Sequence, residues 1–284
     1  FIESFFVANT HDTIMFFTNK GQLYWLKVYK IPEAGRTAIG KAVVNLINLQ
    51  ADEKIMATIT TTDFNADKSL VFFTKNGIVK RTNLKEYGNI RSVGVRAINL
   101  DENDELVTAH IIDSNVKELF IATYKGMCIR FSVNELREIG RVSRGVSGIK
   151  FKASEDYVIA ATTITSDTDK LLTVSERGIG KQTLAGEYRL QSRAGKGVIV
   201  QKLTPKTGNL VSVVNINDEN ADLMVLTSSG KMIRVDTEAI REAGRNTSGV
   251  KIVNVGNDKV AYANVCPKEQ QEDEANNEEG QILS

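Results

Sequence analysis

The sequence predicts an all-β fold made of a repeated unit, and three observations support this prediction. One pattern, an apolar run followed by Thr or Ser, two polar residues and Gly, occurs five times in the 284 residues, ending at Gly21, Gly77, Gly126, Gly178 and Gly230. An Arg follows each of these glycines by fourteen or fifteen residues. The apolar segments are short, alternate or run continuously, and are rich in Val, Ile, Phe and Thr, which is typical of strands.

A period of about fifty residues built from short strands indicates units that bury an apolar face by stacking on their neighbours. Four strands per unit fit this length, as in the blades of a β-propeller. A helical solenoid would need amphipathic segments with the period of the α-helix, and these segments do not have it. We therefore expect one ring of blades over residues 1–266 and a tail over residues 267–284.

Each unit begins with a hairpin, such as the one expected over residues 119–131. The Gly at its turn provides the positive φ angle that a short connection between twisted strands requires. A polar segment, here called the connector, follows the hairpin and contains the recurrent Arg and, three or four residues later, a second Gly. We expect a turn or two of helix at residues 133–140 and 237–244, with Thr237 as an N-cap.

Each unit ends with a third strand, expected near residues 148–152 in the third copy, and a closing strand. Closing strands are expected at residues 54–61, 105–112, 156–164, 209–216 and 259–265, and the apolar segment 1–9 resembles them. The chain thus has six closing strands but five hairpins. We expect six blades, one of which lacks its upstream hairpin. Because the chain begins at Phe1 without a Met, we also expect it to be part of a longer protein.

Acidic residues recur just before the closing strands and raise the question of acid–base chemistry. Since turns favour Asp, we interpret them as turn residues; they are Asp52, Glu53, Asp104, Glu105, Glu155, Asp156 and Asp258. His11 and His110 have no Cys or second His at ligand spacing, and Cys128 and Cys266 are expected to be buried thiols. We find no phosphate-binding loop and no catalytic site, and we expect no cofactor and no metal.

The charge is unevenly distributed along the chain. Residues 267–284 carry a net charge of −5, so the net charge of +1 leaves +6 on the rest. A basic body with an acidic tail suggests a polyanionic partner and a tail that competes for it, although acidic tails are more often solubilising segments. The small number of cysteines suits a reducing cytoplasm, and no apolar run is long enough to span a membrane.

Basic residues recur in the connectors and in the second strand of each hairpin, which would place them around the ring as a belt. Arg with an adjacent Gly suits a phosphate backbone, although the recurrent Arg is equally well explained as a bridge between blades. The candidate DNA-binding residues are Arg36, Lys41, Lys80, Arg81, Arg91, Arg96, Arg130, Arg141, Arg144, Lys181, Arg193, Lys196, Arg234, Arg245 and Lys251. Such contacts would bind DNA without reading its sequence.

Several segments of the sequence resemble the C-terminal domain of the A subunit of bacterial DNA gyrase. They are residues 7–12 (VANTHD), 28–33 (VYKIPE) followed by Arg36 and Gly40, 44–46 (VNL) and 244–250 (GRNTSGV). The resemblance covers residues 1 to about 266. It implies a six-bladed β-pinwheel, whose blades exchange strands and whose basic perimeter wraps double-stranded DNA. The wrap would present a DNA crossing to the strand-passage core, so that negative supercoils are introduced.

The resemblance also implies where this domain acts and what it lacks. Its partners would be DNA and, in an A2B2 assembly, the gyrase B subunit together with the rest of the gyrase A subunit. It would be a cytoplasmic, nucleoid-associated domain that is monomeric in isolation, with the cleavage and ATPase sites elsewhere.

The hallmark heptapeptide of the family, Gln-Arg-Arg-Gly-Gly-Lys/Arg-Gly, is expected upstream of this sequence. Residues 191–197 form a degenerate copy that keeps Gln191, Arg193, Gly195, Lys196 and Gly197. Ser192 and Ala194 stand where the motif has Arg and Gly.

Two alternatives remain open from the sequence. The first is the equivalent domain of topoisomerase IV, which binds DNA without strong wrapping. The second is a protein-interaction propeller of the WD type, although Trp25, the single Trp, is followed by Leu26 and no Trp-Asp repeat is present.

Overall fold

The computed structural model describes residues 8–31, 46–217 and 221–268. This part of the chain is almost entirely β-structure, and its helices are single turns of 3-10 helix. No helix in it is long and apolar enough to cross a membrane. The all-β prediction is confirmed.

The strands are numbered in chain order. They are β1 (Thr13–Thr18), β2 (Gln22–Lys27), β3 (Ile55–Thr61), β4 (Ser69–Thr74), β5 (Ile78–Asn83), β6 (Val95–Arg96), β7 (Leu106–Ile112), β8 (Glu118–Thr123), β9 (Met127–Ser132), β10 (Val146–Ser147), β11 (Val158–Ile164), β12 (Lys170–Ser175), β13 (Ile179–Leu184), β14 (Val198–Ile199), β15 (Leu210–Asn215), β16 (Ala221–Thr227), β17 (Met232–Val235), β18 (Val250–Lys251) and β19 (Val260–Pro267). The predicted closing strands correspond to β3, β7, β11, β15 and β19 and are confirmed to within two residues.

These strands form five antiparallel sheets, which are the blades. The strand orders are β3-β1-β2-β6, β7-β4-β5-β10, β11-β8-β9-β14, β15-β12-β13-β18 and β19-β16-β17. The prediction of six blades is therefore wrong for the described residues, which form five. It rested on the apolar segment 1–9, which has no hairpin of its own in this sequence, and residues 1–7 lie outside the described part of the chain.

The five hairpins have the predicted turns, with φ angles of 75°, 90°, 88°, 78° and 91° at Gly21, Gly77, Gly126, Gly178 and Gly230. The Thr or Ser of the repeated pattern has a role of its own. For example, the Thr74 hydroxyl accepts a hydrogen bond from the Ile78 amide at 3.0 Å. A side-chain acceptor at this place satisfies an amide that the tight turn leaves without a backbone partner.

Neighbouring blades exchange strands through the connectors. The two-residue strands β6, β10, β14 and β18 each come from the connector of the next unit and pair with the second hairpin strand of the preceding blade. The predicted third strand at residues 148–152 is thus shifted and belongs to a different sheet. The second Gly of the connector makes this pairing feasible, because a Cβ on Gly197 would lie 2.1 Å from the Cys128 carbonyl oxygen.

The hydrophobic core lies between successive blades, as expected for units that bury a face on their neighbours. Phe17 of the first blade and Phe72 of the second meet edge to face, with ring centroids 5.3 Å apart. Phe120 of the third blade packs in the same way on Tyr188 of the next unit, at 4.9 Å. These rings are almost fully buried, so separating two blades would expose them to water.

The predicted short helices are single 3-10 turns at Val133–Glu135 and Thr237–Ala239. Thr237 is not the N-cap: Asp236 is, and its carboxylate accepts a hydrogen bond from the Glu238 amide. Asp lies one residue earlier than the sequence pattern suggested and is the stronger acceptor.

The interpretation of the recurrent carboxylates as turn residues is confirmed where they are buried. Asp104 accepts hydrogen bonds from the amides of Asn76 and Glu105 at 2.9 and 2.8 Å. Asp156 does the same for Lys125 and Tyr157 at 3.0 and 2.8 Å. These side chains hold the hairpin of a blade to the start of its closing strand.

Candidate nucleic-acid interface

The connectors, which lie between each hairpin and its closing strand, are joined to one another. The guanidinium of Arg193 donates to the carbonyl of Ser147 at 2.6 Å, and that of Arg245 donates to the carbonyl of Ile199 at 2.7 Å. Arg141 makes the equivalent bond to the carbonyl of Arg96. Each acceptor is the last residue of the short strand in the preceding connector, so the recurrent Arg bridges blades at these three positions.

A second contact fixes the backbone of the same Arg residues. The amide of Arg141 donates to Glu86 at 3.0 Å, that of Arg193 to Glu135 at 3.0 Å and that of Arg245 to Glu187 at 3.0 Å. Each Glu lies in the 3-10 turn of the preceding connector. Together the two contacts make the connectors one linked strip that continues from blade to blade.

The contacts of these three Glu residues were not predicted from the sequence. The signal was present, because Glu86, Glu135 and Glu187 all stand nine residues after the turn Gly of their unit. A Glu in a polar segment is ordinarily solvated, so its spacing indicated nothing until the next connector was seen to lie beside it.

Lys80 and Lys181 of the predicted site lie inside the molecule and are at most 1% exposed. The Lys80 ammonium donates to the carbonyl of Ala97 at 2.7 Å and also to that of Arg141. The Lys181 ammonium donates to the carbonyl of Gly244 at 2.8 Å. Burial lowers the pKa of Lys80 to about 7 and that of Lys181 to about 8, because a charged ammonium loses its hydration there.

The other basic residues of the hairpin strands also contact protein groups. Arg81 donates to the carbonyl of Leu136 at 3.3 Å. Arg130 donates to the carbonyl of Tyr188 at 2.9 Å and forms an ion pair with Glu118 at 2.7 Å. The acceptors are backbone carbonyls at the ends of 3-10 turns in the next unit. The remaining member, Arg234, pairs with Asp222 at 3.3 Å.

Apart from Arg234 on β17, the exposed basic side chains of the predicted site within the described residues lie on the connectors. Arg91, Arg96, Lys196 and Lys251 are exposed, and within the described residues their side chains make no hydrogen bond or ion pair. Arg144 is also exposed but forms two 2.6 Å bonds with Asp101. Arg36 and Lys41 lie outside the described part of the chain. The DNA-contact role of all fifteen candidates stays a prediction.

The degenerate box at residues 191–197 has a definite backbone geometry. Ala194 has a φ angle of 69°, in the left-handed region that favours Gly, and its amide donates to the carbonyl of Gly148 at 2.9 Å. This is the position at which the family motif has Gly. Gly197 has a φ angle of 77° and begins the contact with β9. Lys196 points outward between them and is exposed.

The other chemically active residue types serve local structure. His110 is hydrogen-bonded through Nε2 to the carbonyl of Ala161 at 2.8 Å, and burial lowers its pKa. Cys128 is buried, and burial raises the pKa of its thiol. Among the described residues no group of three His, Cys, Asp or Glu side chains is arranged to hold a metal ion.

Comparison with known proteins assigns the chain to a family. The profile of the family described as DNA gyrase C-terminal domain, beta-propeller, matches residues 12–62, 68–113, 117–165, 169–217 and 221–267. These five matches coincide with the five blades.

Among curated proteins, the DNA gyrase A subunit of Campylobacter jejuni is 61% identical and matches 98% of this chain and 36% of its own length. The DNA gyrase A subunit of Helicobacter pylori is 63% identical over 95% of this chain and 32% of its own. The chain therefore spans about a third of the length of the curated relatives it matches.

Solved structures resemble most of the chain. The C-terminal domain of DNA topoisomerase IV superposes with a TM-score of 0.80 and 27% identity, covering 92% of this chain and 80% of the other. A DNA gyrase A C-terminal domain superposes with a TM-score of 0.77 and 24% identity, covering 90% of this chain and 83% of the other. At 24% identity, the similarity to the gyrase A domain shows only that the two folds are alike.

Proposed function

Because the chain belongs to the DNA gyrase C-terminal domain family of β-propellers, we propose that it binds double-stranded DNA without sequence preference and wraps it along the linked connectors. The observation that carries the proposal is a rigid strip that bears exposed cations, whose side chains make no hydrogen bond or ion pair to the residues that the structure describes. The strip is fixed by the bonds of Arg193 and Arg245 to the preceding connector. Its exposed cations are Arg91, Arg96, Lys196 and Lys251.

The rigidity of the strip matters because DNA is stiff. Bending a duplex of 20–30 bp by 40–90° costs about 1–6 kcal/mol. A surface can offset that free energy only if its phosphate contacts stay in place along the whole bend. Connectors that are bonded to one another from blade to blade meet this requirement better than independent loops.

The proposal divides the fifteen candidate residues into two roles. The exposed connector residues contact phosphates. The buried Lys80, Arg130 and Lys181 hold the connectors in position. The recurrent Arg193 and Arg245 are half-buried and bridge two connectors, so we assign their main role to positioning.

In the complete enzyme, the domain would present a DNA crossing to the strand-passage core of a gyrase. Its partners would be the B subunit together with the rest of the A subunit, in the cytoplasm at the nucleoid. The domain would be an accessory part of an ATP-dependent topoisomerase, without its own active site, cofactor or metal. We propose that the predicted domain up to residue 266 folds as one monomeric unit. It extends slightly further than predicted, because β19 ends at Pro267 and Lys268 forms an ion pair with Glu238, so the acidic tail that the sequence predicts to be disordered is residues 269–284.

The second candidate is the equivalent domain of topoisomerase IV, and one observation favours it. The topoisomerase IV C-terminal domain superposes well, at a TM-score of 0.80. The two candidates differ in how strongly they bend DNA, so a measurement of binding alone does not separate them.

The salt dependence of binding tests the proposal. The logarithm of the DNA association constant falls linearly with the logarithm of the salt concentration, with a slope of about −0.9 for each phosphate neutralised. We expect about six or more neutralised phosphates in a wrapped complex. Fluorescence anisotropy of a labelled duplex over a series of salt concentrations gives the slope. A slope near −2 would show that only about two phosphates are neutralised and would contradict wrapping along the strip.

A further inference from the structure

Exposed hydrophobic side chains recur on the same connectors as the exposed cations. Val93, Val142, Leu190 and Val250 are 65%, 55%, 57% and 47% exposed and belong to four successive connectors. In the described part of the chain, most of the large hydrophobic residues that face solvent lie in connectors. The connectors therefore carry both positive charge and exposed apolar side chains, although the apolar residues stand at different distances from the recurrent Arg.

A single exposed Val needs no explanation, since much of any protein surface is apolar. Repetition in four successive units is different, because three of these connectors are held by bonds at both the amide and the guanidinium of their recurrent Arg, which is Arg141, Arg193 or Arg245. The connector of Val93 is joined to the next one through the Glu86 carboxylate and the Arg96 carbonyl. Their side chains are thus kept at the surface by a fixed backbone. A recurrent apolar surface on a fixed segment indicates a partner with apolar groups of its own.

The neighbouring cations narrow down this partner. Arg91 lies two residues from Val93, and Lys251 is adjacent to Val250. A matching partner must present negative charge and apolar surface close together. The backbone of duplex DNA does so, because each phosphate is flanked by deoxyribose rings whose C–H groups form the edges of the grooves.

Building on the proposed DNA binding, we propose that Val93, Val142, Leu190 and Val250 pack against deoxyribose rings of the bound duplex and thereby select DNA over RNA. In an RNA duplex the wide minor groove displays 2′-hydroxyl groups. An apolar side chain against a 2′-hydroxyl would remove its water without providing a hydrogen bond, which is unfavourable.

Packing on sugars suits these side chains better than insertion between base pairs. Apolar wedges inserted from the minor groove kink the duplex toward the major groove. Each wedge also has to unstack a base step, which is unfavourable. The short Val side chains suit surface packing, since they cannot reach between stacked bases.

The test replaces Val93, Val142 and Val250 together with Thr. Thr keeps the shape and the β-branch of Val and adds a hydroxyl, so the connectors should keep their conformation. Met56→Gln is the matched control, because Met56 is 39% exposed but lies on the closing strand β3. The probes are a DNA duplex and an RNA duplex of the same sequence, each titrated over a series of salt concentrations.

We expect the triple variant to bind the DNA duplex about ten-fold more weakly, with an unchanged salt slope, because no phosphate contact is removed. Binding of the RNA duplex should change little, so the preference for DNA should fall by about the same factor. Met56→Gln should leave both affinities unchanged. Melting curves of all variants check that the fold is retained.

Two results would overturn the inference while leaving the proposed function intact. One is unchanged DNA affinity in the triple variant with a steep salt slope, as expected if these side chains contact another protein. The other is an equal loss in Met56→Gln. If the unmodified chain itself binds DNA with a shallow slope, the proposed function fails, and this inference fails with it.

Discussion

At the scale of single residues, Ala194 shows how closely the degenerate box keeps the geometry of the family motif. Its φ angle of 69° is the conformation that a Gly adopts without strain. An L-residue with a Cβ in this conformation is about 1–2 kcal/mol less stable. The bond from its amide to the Gly148 carbonyl explains why the conformation persists.

We predict that Ala194→Gly stabilises the fold by about 1 kcal/mol, because the strain is removed while some entropy of the unfolded chain is gained. The melting temperature should rise by about 2–4 °C. Ala239→Gly is the matched control, since Ala239 is exposed and lies in a 3-10 turn with ordinary φ. The same substitution there should lower the melting temperature. A decrease for both variants would show that Ala194 is unstrained.

Arg193 and Lys196 are close in sequence but have different surroundings, and we predict different effects for them. Arg193→Ala removes the bond to the Ser147 carbonyl and should destabilise the fold by about 1–3 kcal/mol. Lys196→Ala should leave stability unchanged and reduce the salt slope of DNA binding by about one phosphate. Denaturant unfolding and salt-dependent anisotropy measure the two quantities. Equal stability losses would contradict this division of roles.

At this scale the sequence predicted the residue types that matter but not their surroundings. Spacing identified the recurrent Arg and left its bridging and DNA-binding roles equally probable, and the bonds of Arg193 and Arg245 show the bridge. Lys80 and Lys181 looked like surface residues because a strand alternates between two faces. Both faces of a blade strand are covered by neighbouring segments, so the alternation of side chains between the two faces did not distinguish exposed from buried positions.

At the scale of elements, the buried lysines join the hairpin of one blade to a connector of another. The Lys181 ammonium reaches the carbonyl of Gly244 in the fifth unit. Since burial lowers its pKa to about 8, the folded state holds this proton less tightly than the unfolded chain does. Stability must therefore rise with pH between about 8 and the ordinary lysine pKa of about 10.4.

We predict that the melting temperature of the unmodified chain rises between pH 8 and pH 9.5 relative to that of Lys181→Met. The variant has no ammonium at this position and therefore cannot release this proton. Lys196→Met is the matched control, because Lys196 is exposed and its variant should follow the pH dependence of the unmodified chain. Differential scanning calorimetry at several pH values gives the comparison. Parallel curves for all three proteins would show that the Lys181 ammonium is not penalised by burial.

The elements themselves were predictable where local rules decide them. The turn glycines and closing strands were located to within two residues, since turn geometry and apolar patterning are local. The short strands β6, β10, β14 and β18 were not, because two residues carry no periodicity. Their pairing depends on the close approach of a Gly such as Gly197 to another blade. A contact between residues so far apart in the chain cannot be inferred from the sequence pattern.

At the scale of the whole molecule, the charge distribution suggests self-regulation. Residues 267–284 carry a net charge of −5 and the remainder of the chain carries +6. We predict that deleting residues 269–284 strengthens DNA binding at low salt, because the acidic residues no longer compete for the connector cations. The gain should vanish at high salt, where such attraction is screened. Identical affinities at low salt would exclude this competition.

We propose that the connectors bend DNA rather than merely attract it, and the distance between the two ends of a bound duplex shows which of the two occurs. A duplex carrying a donor and an acceptor fluorophore at its two ends is titrated with the chain at two salt concentrations. We predict that energy transfer rises on binding and that higher salt reverses the rise, because the ends approach as phosphates are neutralised along the strip. Tight, salt-sensitive binding with no change in energy transfer would contradict the claim.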